Sequence, residues 1–147
     1  MAKILDDGIL KQVQEVFAEL DREVRVVYFR SENNCEYCNE TQQLLEEVVS
    51  LADKLSIEVL DLDQNTQIAA QYQVDKTPAF VIAGKDGDQI TDFGIRYSGI
   101  PAGHEFTSLI NSLIMVSSRA SALTDVTRTF LSGLTQPVLL QVFVTPT

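Results

Sequence analysis

The sequence predicts an α/β fold in which a central mixed sheet is flanked by helices. Segments of helical period alternate with short apolar runs over residues 4–62, the pattern of a β-α-β unit with parallel strands. After Thr77-Pro78 two further runs are joined across Gly84-Lys85-Asp86-Gly87-Asp88, which reads as an antiparallel hairpin. A third observation says where chemistry would sit. The only two cysteines, Cys35 and Cys38, form a C-x-x-C unit where a strand gives way to a helix.

Taken in order, Ile9, Leu10, Val13, Val16, Phe17 and Leu20 recur at helical spacing, and Asp6 and Asp7 suit a first turn, so a helix of about four turns is expected over 4–20. Val24 to Phe29 is nearly all apolar, as in a strand buried on both faces. Ser31-Glu32-Asn33-Asn34 is the connecting loop, with Asn34 as an N-cap that would deliver Cys35 to the first helical position. Leu44, Val48, Leu51, Ala52 and Leu55 continue that helix with one buried face. Ile57 to Leu62 is then a strand, parallel to the first through a right-handed crossover. Asp61 and Asp63 at its carboxyl end read as solvated or capping groups rather than as a paired-carboxylate site.

Gln67 to Tyr72 is a short helix, and Ala79 to Ile82 and Gln89 to Tyr97 are the hairpin strands. Pro78 at the head of a strand removes no ladder bond. Bond statistics alone favour a trans Thr77–Pro78 peptide, since only about 5–6% of such bonds are cis. Phe106, Leu109, Ile110, Leu113 and Ile114 mark an amphipathic helix to about Ser117. His104, the only histidine, reads as an exposed structural residue near that helix start.

Leu123, Val126, Phe130, Leu131 and Leu134 form one more helical stripe, closed by Gly133, and Val138 to Val144 is an apolar run of strand character. Helix, turn, apolar strand repeats the order of residues 4–29. The expected organisation is therefore a complete unit over 1–118 and a segment, 119–147, that opens an incomplete second unit. An apolar strand without its own sheet leaves backbone groups unpaired, so a homodimer through residues 120–147 is expected.

With 45% hydrophobic and 22% charged residues, the chain reads as globular. A formal charge of −10 argues against nucleic acid and anionic membranes as partners. No run approaches a membrane span and the start lacks a leader pattern, which points to the cytoplasm. Two cysteines in a reducing compartment suggest catalysis rather than a structural bond. A structural zinc site needs four ligands, more than two cysteines and one histidine supply, so no metal and no other cofactor is expected. The redox chemistry needs a thiolate, and a helix N-terminus favours one at Cys35, while Cys38 one turn further in suits a resolving thiol.

Cys35-x-x-Cys38, Thr77-Pro78-Ala79, the duplicated pattern and above all Phe93-Gly94-x-Arg96-Tyr97-x-Gly99-x-Pro101-Ala102-Gly103-His104-Glu105-Phe106 resemble the glutaredoxin-like protein disulfide oxidoreductases, tandem two-unit proteins of thermophilic archaea and bacteria. The N-terminal module of the flavin-linked subunit of alkyl hydroperoxide reductase is a related double-unit arrangement. The resemblance implies a thioredoxin-like fold with Thr77-Pro78 cis and beside the cysteines. It implies exchange of the Cys35/Cys38 dithiol with protein disulfides, a substrate-binding surface shaped by Thr77 and Pro78, and a thioredoxin-reductase-like electron donor. Two departures stand out: family members carry a second C-x-x-C, absent from these 147 residues, and thioredoxins proper have a buried aspartate where Tyr28 and Phe29 stand. Two other readings compete: a non-catalytic interaction module with a vestigial dithiol, and a glutathione-using enzyme, which the carboxylates Glu32, Glu36 and Glu40 disfavour because glutathione is anionic.

Overall fold

The computed structural model describes residues 2–145. Its first helix, α1 (Asp7–Phe17), begins later than the expected residue 4 because Asp6 takes the N-cap, its carboxylate accepting from the Ile9 N–H at 2.9 Å. Val13 and Phe17 face the core, whereas Ile9 and Val16 stay exposed. Strand β1 (Glu23–Arg30) follows, then α2 (Cys38–Val49) and β2 (Leu55–Asp61). Leu55, expected as the last turn of α2, instead opens β2, so the helix is shorter than its stripe. A short α3 (Thr66–Gln71) leads to the hairpin β3 (Ala79–Asp86) and β4 (Gln89–Ser98), and α4 (His104–Ser118) and α5 (Asp125–Ser132) complete the helices.

The four strands form one mixed sheet in the order β2-β1-β3-β4. β1 runs parallel to β2, with Val26 opposite Ile57, and antiparallel to β3, with Val26 opposite Ile82. One face carries Val24, Val26, Tyr28, Phe80 and Ile82 and packs against Val13 and Phe17 of α1, Leu44, Leu45 and Val48 of α2, and Leu109 and Leu113 of α4. The other carries Val27, Phe29, Val81 and Ala83 against Ala69 of α3. Burial on both faces is why β1 and β3 read as unbroken apolar runs.

Beyond α4 the chain leaves this core. α5 forms where the periodicity put a helix, and Thr124 caps it by accepting from the Thr127 N–H at 3.3 Å. Its apolar stripe is not buried among the described residues: Val126 and Phe130 are exposed. The strand expected over Val138 to Val144 is not formed, and Val142 and Phe143 stand 85% and 90% exposed. Apolar β-branched sequence does not make a strand by itself, because ladder bonds need a neighbour in register. Among the described residues none pairs with this segment. Pro146 and Thr147, the end of the 119–147 segment, lie outside the described residues, as does Met1.

Candidate active site

The site is built where β1 leaves the sheet. The loop after Arg30 is pinned by Ser31, which is buried, donates to an Asp63 carboxylate oxygen at 2.8 Å and accepts from the Asn33 N–H at 3.0 Å. Asp63 in turn follows β2, and its N–H donates to the Asp61 carboxylate at 2.9 Å. Asp61 is thus the capping group the sequence suggested, whereas Asp63 ties two loops together. That tie joins residues far apart in the chain and exists because parallel pairing brings Arg30 level with Asp61.

Asn34 is not the N-cap expected of it. Its φ of 54° places it in the left-handed region, which asparagine tolerates, and an N-cap needs extended backbone instead. α2 therefore starts at Cys38, after the turn Glu36-Tyr37, and Cys35 lies just before the helix rather than at its first position. The two cysteines are joined by a disulfide, with Cα atoms 5.4 Å apart, inside the ordinary span for such bonds. Cys35 is half-buried and Cys38 only 2% exposed, so one sulfur faces outward and the other is shielded.

Three side chains surround the pair without having been singled out beforehand. The Tyr28 hydroxyl, fully buried, donates to the Cys38 carbonyl oxygen at 2.7 Å. Burial pushes this phenol far above its usual range, Glu40 adds to that and the Arg30 charge opposes it, so Tyr28 stays a donor. Arg30 lies along the start of α2, donating to Gln42 Oε1 at 2.9 Å and Asn39 Oδ1 at 3.2 Å and pairing with Glu32 at 3.2 Å. It is a cation beside Glu32. Thr41, one turn into α2, is fully buried, and its hydroxyl has no hydrogen-bond partner among the described residues. Arg30 alone had a local signal, a charge at the end of an apolar strand.

The Thr77–Pro78 peptide is cis, as the resemblance implied and bond statistics did not. Pro78 is buried, and its carbonyl accepts from the Gly99 N–H at 2.8 Å. Because Phe29 pairs with Ala79, Thr77 and Pro78 reach the same end of the sheet as the loop bearing Cys35. The long motif from Phe93 to Phe106 serves the scaffold. Arg96 holds Asp92 through two bonds, at 2.8 and 2.6 Å, donates to the Tyr72 carbonyl and lies 5.5 Å over the Tyr72 ring. Its hydrogen bonds hold the Asp92 carboxyl below the ordinary range despite partial burial. Tyr97 stacks on Phe80 at 4.9 Å, and Gly99 adopts a φ of 96° that other residues rarely take. His104 is exposed at the first position of α4.

Among the described residues no group of three or more His, Cys, Asp or Glu side chains is placed to hold a metal ion, and no helix is long and apolar enough to cross a membrane. A family model described as a thioredoxin domain matches residues 22–111. A protein named NADH dehydrogenase, from Bacillus subtilis, is 28% identical over 116 residues, covering 79% of this chain and 19% of that protein. A solved structure of the alkylhydroperoxide reductase AhpF from Enterococcus faecalis is 28% identical with a TM-score of 0.77, covering 88% of this chain and 61% of that one. A protein disulfide oxidoreductase from Aeropyrum pernix shares the fold, with a TM-score of 0.77 at 24% identity over 90% of this chain and 57% of that one. The chain thus spans about a fifth of the length of the curated relatives it matches.

Proposed function

Since the chain belongs to the thioredoxin domain family, we propose that it is a thiol–disulfide oxidoreductase acting through Cys35 and Cys38. The observation that carries this reading is the disulfide at the head of α2 with one accessible and one shielded sulfur. In the reducing direction the Cys35 thiolate attacks one sulfur of a substrate disulfide, and the other substrate sulfur leaves with the electron pair. Cys38, as thiolate, then attacks Cys35 Sγ, and the second substrate sulfur leaves. Two electrons and two protons pass from the dithiol to the substrate, and the Cys35–Cys38 bond reforms. Thr77 and Pro78, at the same end of the sheet as the cysteine loop, shape the surface on which a substrate strand lies. Insulin-disulfide reduction by the wild type against Cys35→Ser tests this: turnover is expected in the first and none above background in the second. Equal rates would overturn the assignment.

The substrates in this reading are protein disulfides rather than glutathione, because Glu32, Glu36 and Glu40 present an acidic rim to an anionic tripeptide. The electron donor is a thioredoxin-reductase-like flavoprotein, an inference supported by the likeness to the alkylhydroperoxide reductase AhpF. The reaction belongs in the cytoplasm, where an unbridged dithiol is maintained. A second role is favoured by the exposed stripe of α5 and the apolar segment after it: residues 120–147 join two copies of the chain, or open a second unit of the same fold. A purely interaction-bearing module with an idle dithiol is the alternative that the insulin assay separates.

A further inference from the structure

Among the described residues no carboxylate is buried. Two hydroxyls, those of Tyr28 on β1 and Thr41 on α2, are buried close to Cys38. A helical threonine ordinarily turns its hydroxyl back to the carbonyl three or four residues earlier. For Thr41 those carbonyls belong to Cys38 and Tyr37. The first accepts from Tyr28 at 2.7 Å and the second from the Thr41 N–H at 3.0 Å, and the Thr41 hydroxyl bonds to neither. The Thr41 hydroxyl is left fully buried and without a partner among the described residues. A buried hydroxyl in that state is costly, at about 1–3 kcal/mol, so its position calls for an acceptor that another state of the protein supplies.

Helix geometry identifies that acceptor. Thr41 stands one turn after Cys38, where Cβ atoms are about 5–6 Å apart, and helical side chains lean toward the preceding turn. In the disulfide form Cys38 Sγ is a poor acceptor. When an external thiolate attacks Cys35 Sγ, the S–S bond breaks and Cys38 Sγ leaves with the electron pair as a thiolate, a strong acceptor on a residue only 2% exposed. We propose that Thr41 is the group that stabilises the Cys38 thiolate, donating its hydroxyl hydrogen bond to the sulfur only in the reduced and mixed-disulfide states. Tyr28 is its positioning residue, because by occupying the Cys38 carbonyl it denies Thr41 the local alternative. The charges that reach the Tyr28 hydroxyl, Arg30 and Glu40, are unchanged in every variant below, so differences report the hydroxyls alone.

This inference rests on the exchange reading and makes the disulfide easier to reduce. The test is the equilibrium of the full chain with dithiothreitol redox buffers at fixed pH, read by alkylation and mass. Thr41→Val is expected to shift the equilibrium toward the disulfide about tenfold, which is about 30 mV for a two-electron couple. Thr41→Ser keeps the hydroxyl and should stay within about twofold of the wild type. In a Tyr28→Phe background the freed carbonyl gives Thr41 its local bond, so adding Thr41→Val there should change little. Thr41→Ala answers the same question if the valine variant does not fold. A wild-type potential in Thr41→Val, a serine variant displaced as far as the valine one, or an undiminished shift in the Tyr28→Phe background would each overturn the proposal. A wild-type chain with no reversible couple would overturn the exchange reading and this one together.

Discussion

At the level of single residues, burial separates the two sulfurs more sharply than position along the helix does. Cys38 is enclosed by the core-facing side of α2, whereas Cys35 sits outside the helix on a loop held by Ser31 and Asp63. Iodoacetamide added to the reduced protein should therefore label Cys35 first, and peptide mapping that found Cys38 labelled first would contradict the assignment of nucleophile. Arg30 acts at the same scale. Its guanidinium is fixed by Gln42 and Asn39 beside Glu32, and a neighbouring cation favours a thiolate. Arg30→Gln should slow alkylation of Cys35 at neutral pH severalfold while leaving the thermal midpoint nearly unchanged; an unaltered rate would mean the charge is spent on Glu32.

Among elements, the segment before α1 is attached to α2 by one carboxylate. Glu47 accepts from the Ile4 N–H at 2.9 Å and from the Leu5 N–H at 3.0 Å, and Leu5 is buried behind it. Burial alone would raise the Glu47 carboxyl, but the bonds from Leu5, Ile4 and Gln43 outweigh it and hold the group below its ordinary 4.5. A folded value below the unfolded one means that this stability is complete above 4.5 and is lost as pH falls through the lower folded value. Glu47→Gln should thus lower the thermal midpoint at pH 7, by an amount corresponding to about 1 kcal/mol for its net charge-assisted bonds, and the gap to wild type should narrow as the pH falls below 4.5. A constant gap across that range, measured by calorimetry, would assign the loss to packing rather than charge.

For the whole molecule the decisive feature is the unburied C-terminal segment. Arg119 still belongs with the first unit: it donates to the carbonyls of Val116, Glu23 and Lys85, pairs with Asp86 at 3.2 Å and lies over the Phe93 ring. A truncation that keeps these contacts should therefore end beyond Arg119, at Ala122. Burying even four of the exposed side chains between Val126 and Val144 would contribute about 1.5–3 kcal/mol each, which favours association. Light scattering at micromolar concentration is expected to show a dimer for the full chain and a monomer for the shortened one. Two monomers of equal thermal stability would remove the segment from any role in assembly.

What the sequence determined by itself was whatever rests on local or near-neighbour physics. The apolar periods of β1, α2 and α4, the doubly buried character of β1 and β3 and the C-x-x-C unit at a strand-to-helix junction were legible because helix bonds and facial burial leave a pattern in adjacent residues. α5 formed as read for the same reason, since its hydrogen bonds are internal. The run from Val138 to Val144 did not become a strand, although it is as apolar as β1, because a strand's bonds are supplied by a neighbour that the described residues do not contain. Tertiary structure alone decided the surroundings of the sulfurs. Asn34 in the left-handed region moved the helix start to Cys38, parallel pairing joined Ser31 to Asp63, and packing of α2 on β1 set Tyr28 against Cys38. Each is a contact between chain-distant groups or a single backbone choice, and neither kind repeats with a period that a sequence can display.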